Sequence, residues 1–335
     1  MKVRIITIGS FLILQLSGFF ICCSAADAIK PVNRNASAES RKVLNYLKSV
    51  QGKQMLAGHH VMYGRMKDRD LNFIIESSGK YPALIEFEGG IFARKYHEDY
   101  TSAQKQLVAD AIAYWKEGGL IAICWHWGNP LEARNTYRGT KVKFDIEAAF
   151  KDGTEENKAM IKDLDVTAEM LKELRDANVP VLFRPLHEIC GGWFWWSMQG
   201  EENAEKLWRF IYNYYTEHHK LNNLLWVYSF SQELRTNWFP GLEYVDVGGV
   251  DIYRKGQQSQ RKNFDKVASV AGTKPVALSE CDIIPDPDVM KEQGFMWNWF
   301  STWHSQWVRK NEPDDLKRIY NHELVITRDE LPDLK

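Results

Sequence analysis

The sequence predicts an α/β fold, a (β/α)8 TIM barrel in a single domain, and three observations carry that prediction. Eight short apolar runs recur along the chain, segments of helical period separate them, and polar or ionisable residues stand where the runs end. Short, nearly continuous apolar strands alternating with amphipathic helices are the pattern of a parallel sheet covered on both faces. Eight such units close most simply into a barrel.

The runs are Met55 to His60, Pro82 to Glu88, Leu120 to Trp127, Pro180 to Glu188, Asn223 to Phe230, Val245 to Tyr253, Pro275 to Glu280 and Gly294 to Phe300. An entry helix is expected from Ala36 to Val50, and helical period continues in Ala103 to Gly118, Lys158 to Asn178 and Glu202 to Leu221. At 335 residues, 44% of them hydrophobic, the chain can bury a core of this size. A doubly wound open sheet is the rival, but no Gly-rich phosphate loop follows the first run as a dinucleotide fold requires.

The third observation locates the chemistry. His59 and His60, Glu86 and Glu88, His126, His187 and Glu188, Ser231 and Gln232, Asp251 and Tyr253, and Glu280 and Asp282 all lie at the C-terminal ends of their runs. That is the rim on which a barrel of this kind builds its site.

Composition narrows the partner. The formal net charge is −1 without long basic or acidic blocks, which speaks against nucleic acid or an anionic membrane and for a neutral molecule. Seven of the 13 Trp crowd into 193–196 and 297–307, and aromatic faces beside polar groups suit sugar rings, although about half of the Trp serve packing.

Residues 1–26 read as an export signal: charged Met1 to Arg4, apolar Ile5 to Ile21, then Cys22-Cys23-Ser24-Ala25-Ala26, leaving 27–335 as the barrel domain. A membrane-spanning helix is the weaker alternative. Cys22 or Cys23 could carry a lipid, although Phe20-Ile21 departs from the small residues usual before such a cysteine. The expected location is outside the cytoplasm: periplasmic, outer-membrane lipoprotein or extracellular. Cys124, Cys190 and Cys281 lack metal-like spacing and are expected as buried free thiols.

Two carboxylates are candidates for catalysis. Glu188 ends the fourth run and Glu280 the seventh, three βα units apart and therefore across the mouth from one another. Cleaving a glycosidic bond with retention needs two carboxyl groups about 5–5.5 Å apart. Either glutamate alone could be a solvated charge or a helix cap. Glu188, however, runs into Gly191-Gly192-Trp193-Phe194-Trp195-Trp196, and an acid beside aromatic walls has its pKa raised by desolvation, as a proton donor needs. Glu86 and Glu88 share a strand face and could accept from sugar hydroxyls or pair with Arg94 or Lys95. His59 and His60 are adjacent and so face opposite sides of a strand, which makes a metal pair an unfavoured reading.

Four motifs make the chain resemble glycoside hydrolase family twenty-six, retaining β-mannanases on a (β/α)8 barrel. They are His126-Trp127-Gly128-Asn129-Pro130, Arg184-Pro185-Leu186-His187-Glu188 running on to Trp196, Val250-Asp251-Ile252-Tyr253, and Ala277-Leu278-Ser279-Glu280, in the family's order over most of the chain after Leu56. The second is the most specific, because many related families place Asn where His187 stands.

The resemblance implies Glu188 as acid/base, Glu280 as nucleophile and Tyr253 as a donor near the nucleophile. It further implies His126, His187, Trp193, Asp251 and a Trp of the last strand, here Trp297, as residues binding mannose in the −1 subsite, with Trp127 also binding substrate. No metal or cofactor is implied; the partner is a β-mannan polysaccharide or manno-oligosaccharide, and the protein is expected to be a monomer. Where the family usually follows the acid/base with Met-Asn, this chain has Ile189-Cys190, which puts its subsite preferences in doubt. Competing readings are the same mechanism on β-1,3-xylan or mixed-linkage β-glucan, a metal-dependent barrel hydrolase using the four histidines, and a glycan binder without catalysis. Endo or exo action stays open.

Overall fold

The structure, a computed structural model, describes residues 29–62, 68–90, 98–253 and 260–335, with the backbone alone for 98–100. The expected export signal, and Arg94 and Lys95, lie outside these residues.

Eight parallel strands form the barrel wall. They are β1 (Met55–Val61), β2 (Leu84–Glu88), β3 (Leu120–Cys124), β4 (Val181–Arg184), β5 (Leu224–Ser231), β6 (Val247–Ile252), β7 (Val276–Cys281) and β8 (Trp299–Thr302). Each hydrogen-bonds to the next, and β1 pairs with both β8 and β2, so the sheet closes. Every apolar run of the sequence overlaps one strand. A ninth strand that the sequence did not suggest, β9 (Val325–Ile326), adds to Met55 and Leu56 at the start of β1.

Helices cover the outside. In chain order they are α1 (Ala38–Val50), α2 (Arg69–Ser78), α3 (Glu98–Lys116), α4 (Ile146–Ala149), α5 (Glu155–Asp176), α6 (Glu201–Asn213), α7 (Gln260–Ala271), α8 (Pro287–Glu292) and α9 (Pro313–Tyr320). A π-helical turn, Tyr214–His218, extends α6, and only short 3-10 turns link β5 to β6. The longest fully described helix, α5, shows why these segments are helical. Thr154 caps its first turn, Glu155 and Glu156 meet the positive end of the helix dipole and Arg175 the negative end, while Leu164, Ala168 and Leu171 bury one face.

Strand alternation separates two interiors. Outward side chains such as Phe183, Trp226 and Tyr228 pack with Trp208 and Tyr215 between wall and helices, all fully buried, each worth roughly 1.5–3 kcal/mol as buried apolar bulk. Inward side chains turn polar towards the C-terminal mouth: His60, Glu86, Glu88, Arg184, Asp251 and Glu280 are all buried there.

One irregularity governs that mouth. Against β6, Val250 pairs with Leu278 but Asp251 pairs with Glu280, and against β8 the register slips between Leu278 and Cys281, so β7 carries one extra residue. A bulge inserts a residue into one strand and re-aims the side chains after it. Ser279 faces the interior, where a Cβ on Gly249 would come within 2.1 Å of its Oγ, and the extra residue lets Glu280 face the interior as well. In strict alternation Glu280 would point into the helical layer.

Candidate active site

At the C-terminal mouth lies a cavity of about 450 Å³, within the range of about 300–1,000 Å³ usual for small-molecule sites. Tyr137, Phe194, Trp303 and Trp307 form its apolar walls, and Glu188, Glu280, Tyr253, His126, His187 and His304 are among its polar residues.

Glu280 is held from two sides. Arg184 Nη2 donates to one carboxylate oxygen at 2.5 Å and Tyr253 Oη to the other at 2.7 Å. Arg184 is itself fixed by both oxygens of Glu86, at 2.9 and 3.2 Å, and by Asp251 at 3.0 Å, while Ser229 donates to the other oxygen of Asp251 at 2.6 Å. A guanidinium shared among three buried carboxylates keeps one orientation, and it keeps Glu280 beside a positive charge in a water-poor site. Burial and the Glu280 charge push the Asp251 carboxyl well above its usual range, which limits the negative charge packed around Arg184.

Glu188 has a different setting. Its backbone sits at φ 50°, a region costly for a residue with a side chain, where the chain turns abruptly after β4. The turn is pinned by Ile189 N to Ser229 O at 3.1 Å and Gly191 N to Glu188 O at 2.8 Å. Among the described residues no cation bonds the carboxylate; Trp193 Nε1 donates to it at 2.8 Å. Burial first and the Glu280 charge second raise Glu188 to about 7, with the Trp193 hydrogen bond opposing them. It is therefore a carboxylic acid able to donate a proton at neutral pH.

A third wall is a chain of hydrogen bonds. Glu88 accepts from the His126 backbone at 3.0 Å and holds His126 Nδ1 at 2.6 Å, and His126 Nε2 meets His187 Nε2 at 3.1 Å. Burial works against charge on His126, but Glu88 outweighs it and holds His126 above the usual histidine range. Burial, reinforced by His126 and Arg184, pushes His187 well below that range. One proton between the two Nε2 atoms makes this contact a hydrogen bond, while His187 Nδ1 is buried without a partner among the described residues.

Four expected substrate contacts, Trp127, Trp297, Asp251 and Trp193, are outside the cavity lining. Trp127 is buried, and alternation from inward-facing His126 turns it outward, where its Nε1 donates to Asp163 of α5 at 2.7 Å and its ring stacks on Trp125. Trp297 precedes β8 instead of ending it, so it lies at the opposite end of the barrel, with its Nε1 on Gln260 at 3.1 Å and its ring against Phe264. Asp251 sits beneath the cavity on Arg184 and Ser229, outside the lining. Of the loop aromatics, Trp195 and Trp196 are fully buried anchors bonded to Trp127 O and His187 O, which leaves Phe194 to line the cavity and Trp193 to hold Glu188.

The residues that reading by strand ends missed are Arg184, Tyr137, Phe194, Trp303, His304 and Trp307. Arg184 offered a signal, an arginine inside an apolar run. Trp303 lies just beyond the eighth run, stacked on His60 at 3.9 Å. His59 faces outward, with Nδ1 on Thr302 Oγ1 at 2.9 Å. Two buried donor groups, His60 with Glu86 and Cys124 and Glu88 with Cys124 and His126, have the elements of a cation site. Their carboxylates are already committed to Arg184 and to His126.

Fold and site together define a barrel protein with a carboxylate-bearing, aromatic-walled cleft, the architecture of the glycoside hydrolases. The sequence pattern of Glycosyl hydrolase family 26 matches residues 32–330, and the chain belongs to that family. It is 31% identical over 312 residues to a mannan endo-1,4-β-mannosidase of Thermothelomyces thermophilus, covering 89% of this chain and 62% of that protein. A mannan endo-1,4-β-mannosidase A of Piromyces sp. is also 31% identical over 312 residues, covering 90% of this chain and 50% of that protein. The chain thus spans between half and two thirds of the length of these curated relatives. Among solved structures, a β-mannanase from a symbiotic protist of the termite Reticulitermes speratus, complexed with gluco-manno-oligosaccharide, superposes with a TM-score of 0.81 at 32% identity, over 90% of this chain and 97% of that one.

Proposed function

We propose that this protein hydrolyses β-1,4-mannosidic bonds with retention of anomeric configuration. The observation that carries the reading is the contrast between two glutamates in one cavity: Glu280 held by a cation and a phenol, and Glu188 held near neutral pKa by burial. In the first step a Glu280 oxygen attacks the anomeric carbon while Glu188 gives its proton to the departing glycosidic oxygen. In the second, Glu188 takes a proton from water, whose oxygen displaces Glu280 and frees the sugar. Tyr253 and Arg184 orient Glu280, the His126–His187 pair supplies a polar edge for ring hydroxyls, and Trp303 and Phe194 supply apolar faces for the sugar.

The mannose preference rests on family membership and on the activity named for the relatives. Their shared endo-1,4-β-mannosidase activity favours attack within the polymer. A reducing-sugar assay on mannan, galactomannan, β-1,3-xylan and mixed-linkage β-glucan tests the substrate, and release from the last two alone overturns it. A timed product profile on mannohexaose separates internal cleavage from stepwise release of mannobiose. Residues 1–26 are proposed as an export signal, to be checked by the intact mass of the mature protein, including any lipid on Cys22 or Cys23. Among the described residues no helix is long and apolar enough to cross a membrane.

A further inference from the structure

Outside the cavity, one cluster on the helical layer has the chemistry of a cation site. Asp165 of α5, His218 at the end of the π turn and His219 just after it each offer one donor atom, and the three atoms lie within 4.8 Å of one another. None of the three lines the active-site cavity.

The π turn makes this grouping. Consecutive side chains on a regular α-helix diverge by about 100°. Here the ring of Tyr214 meets both histidines, stacked on His218 at 4.8 Å and edge-on to His219 at 5.0 Å, and the two imidazoles meet at 4.8 Å. Tyr214 Oη and His219 Nε2 both bond Asp165 Oδ1, at 2.7 and 2.9 Å. The carboxylate is thereby fixed beside the imidazoles, and a hydroxyl supports it from behind, the arrangement that orients metal ligands elsewhere. Helical π turns of this kind recur at functional positions.

We propose that Asp165, His218 and His219 bind a borderline divalent cation, zinc(II) above all, with water completing a tetrahedral site. Two imidazole nitrogens and one carboxylate oxygen are a donor set zinc accepts. Donors around tetrahedral zinc at about 2.0–2.1 Å lie roughly 3.3 Å apart, so the cluster must tighten. Exposed His218 can do so by side-chain rotation. His219 Nε2 exchanges its hydrogen bond to Asp165 for the metal, and its proton passes to Nδ1 through solvent, so the ring stays neutral. The bound ion ties α5 to the end of α6, two helices of the outer layer, without entering the catalytic cleft.

The test is calorimetric titration of the chelator-treated full chain with zinc chloride, alongside His218→Ala and Asp165→Asn. The expected result is one zinc per wild-type chain, affinity lowered at least about tenfold in each variant, and a zinc-induced rise in unfolding temperature seen in the wild type and absent in His218→Ala. His218 is exposed, so that variant keeps the fold and its glycan hydrolysis is expected to match the wild type. Two results overturn the proposal: no saturable binding by the wild type, or undiminished binding by His218→Ala. The second outcome, with zinc inhibiting hydrolysis, would move the ion to the histidines of the cleft.

Discussion

The two sides of the cleft present the same side chain in opposite settings. On the β7 side Glu280 meets a guanidinium and a phenol, and the guanidinium is braced by two further carboxylates. On the β4 side Glu188 meets an indole N–H, on a backbone turn at φ 50°. A cation and a phenol define the first place and desolvation the second, so two chemically identical groups meet opposite surroundings. That contrast is the physical basis of the proposed division between nucleophile and proton donor.

Four substitutions break or sharpen the contrast. The largest effect is expected from Glu280→Ala: turnover falls by about 10⁴-fold or more, and added azide, without effect on the wild type's stereochemistry, yields an inverted glycosyl azide with the variant. Product NMR reads the anomer, and a variant retaining turnover would remove Glu280 from the mechanism. Next, Arg184→Met leaves three buried carboxylates without their cation. A kcat loss of roughly 10²–10³-fold and a stability loss of about 3–5 kcal/mol in urea unfolding are expected.

Gly249→Ala acts on the bulge alone, by driving a methyl group against Ser279 Oγ. The expected cost is about 1–3 kcal/mol of stability, with kcat reduced because Glu280 follows Ser279 directly. Wild-type kcat would show that the bulge tolerates the shift. The smallest effect belongs to Trp193→Phe. Glu188 must be protonated to donate, so kcat is lost as pH rises through about 7. Removing the hydrogen bond that opposes its raised pKa moves this alkaline limb to higher pH. A limb that moves down or stays put would assign it to another group.

The catalytic candidates were legible because a barrel strand must end somewhere, and Glu188 and Glu280 each end an apolar run. Their company was less so. Trp127 and Trp297 stand two residues from Trp125 and Trp299, and spacing does not tell a sugar platform from a packing residue; the strand's facing and starting point decide it. Trp303 lies past the last run, where hydrophobic periodicity carries no information. Arg184 was visible as an arginine inside an apolar strand, but its partners Glu86, Asp251 and Glu280 come from three other strands distant in sequence.

By itself the sequence determined the barrel, its strand order and the two glutamates at its rim, because hydrophobic period and strand ends are local properties of the chain. Only the tertiary structure decided what each glutamate is. Glu280 reaches the interior through a bulge whose extra residue shows only in the pairing of β7 with β6 and β8. Its carboxylate is held by an arginine from β4, and Glu188 keeps its proton to about pH 7 through burial that exists only once the cleft has closed around it. Register and desolvation are relations between segments, and neither is written in any one of them.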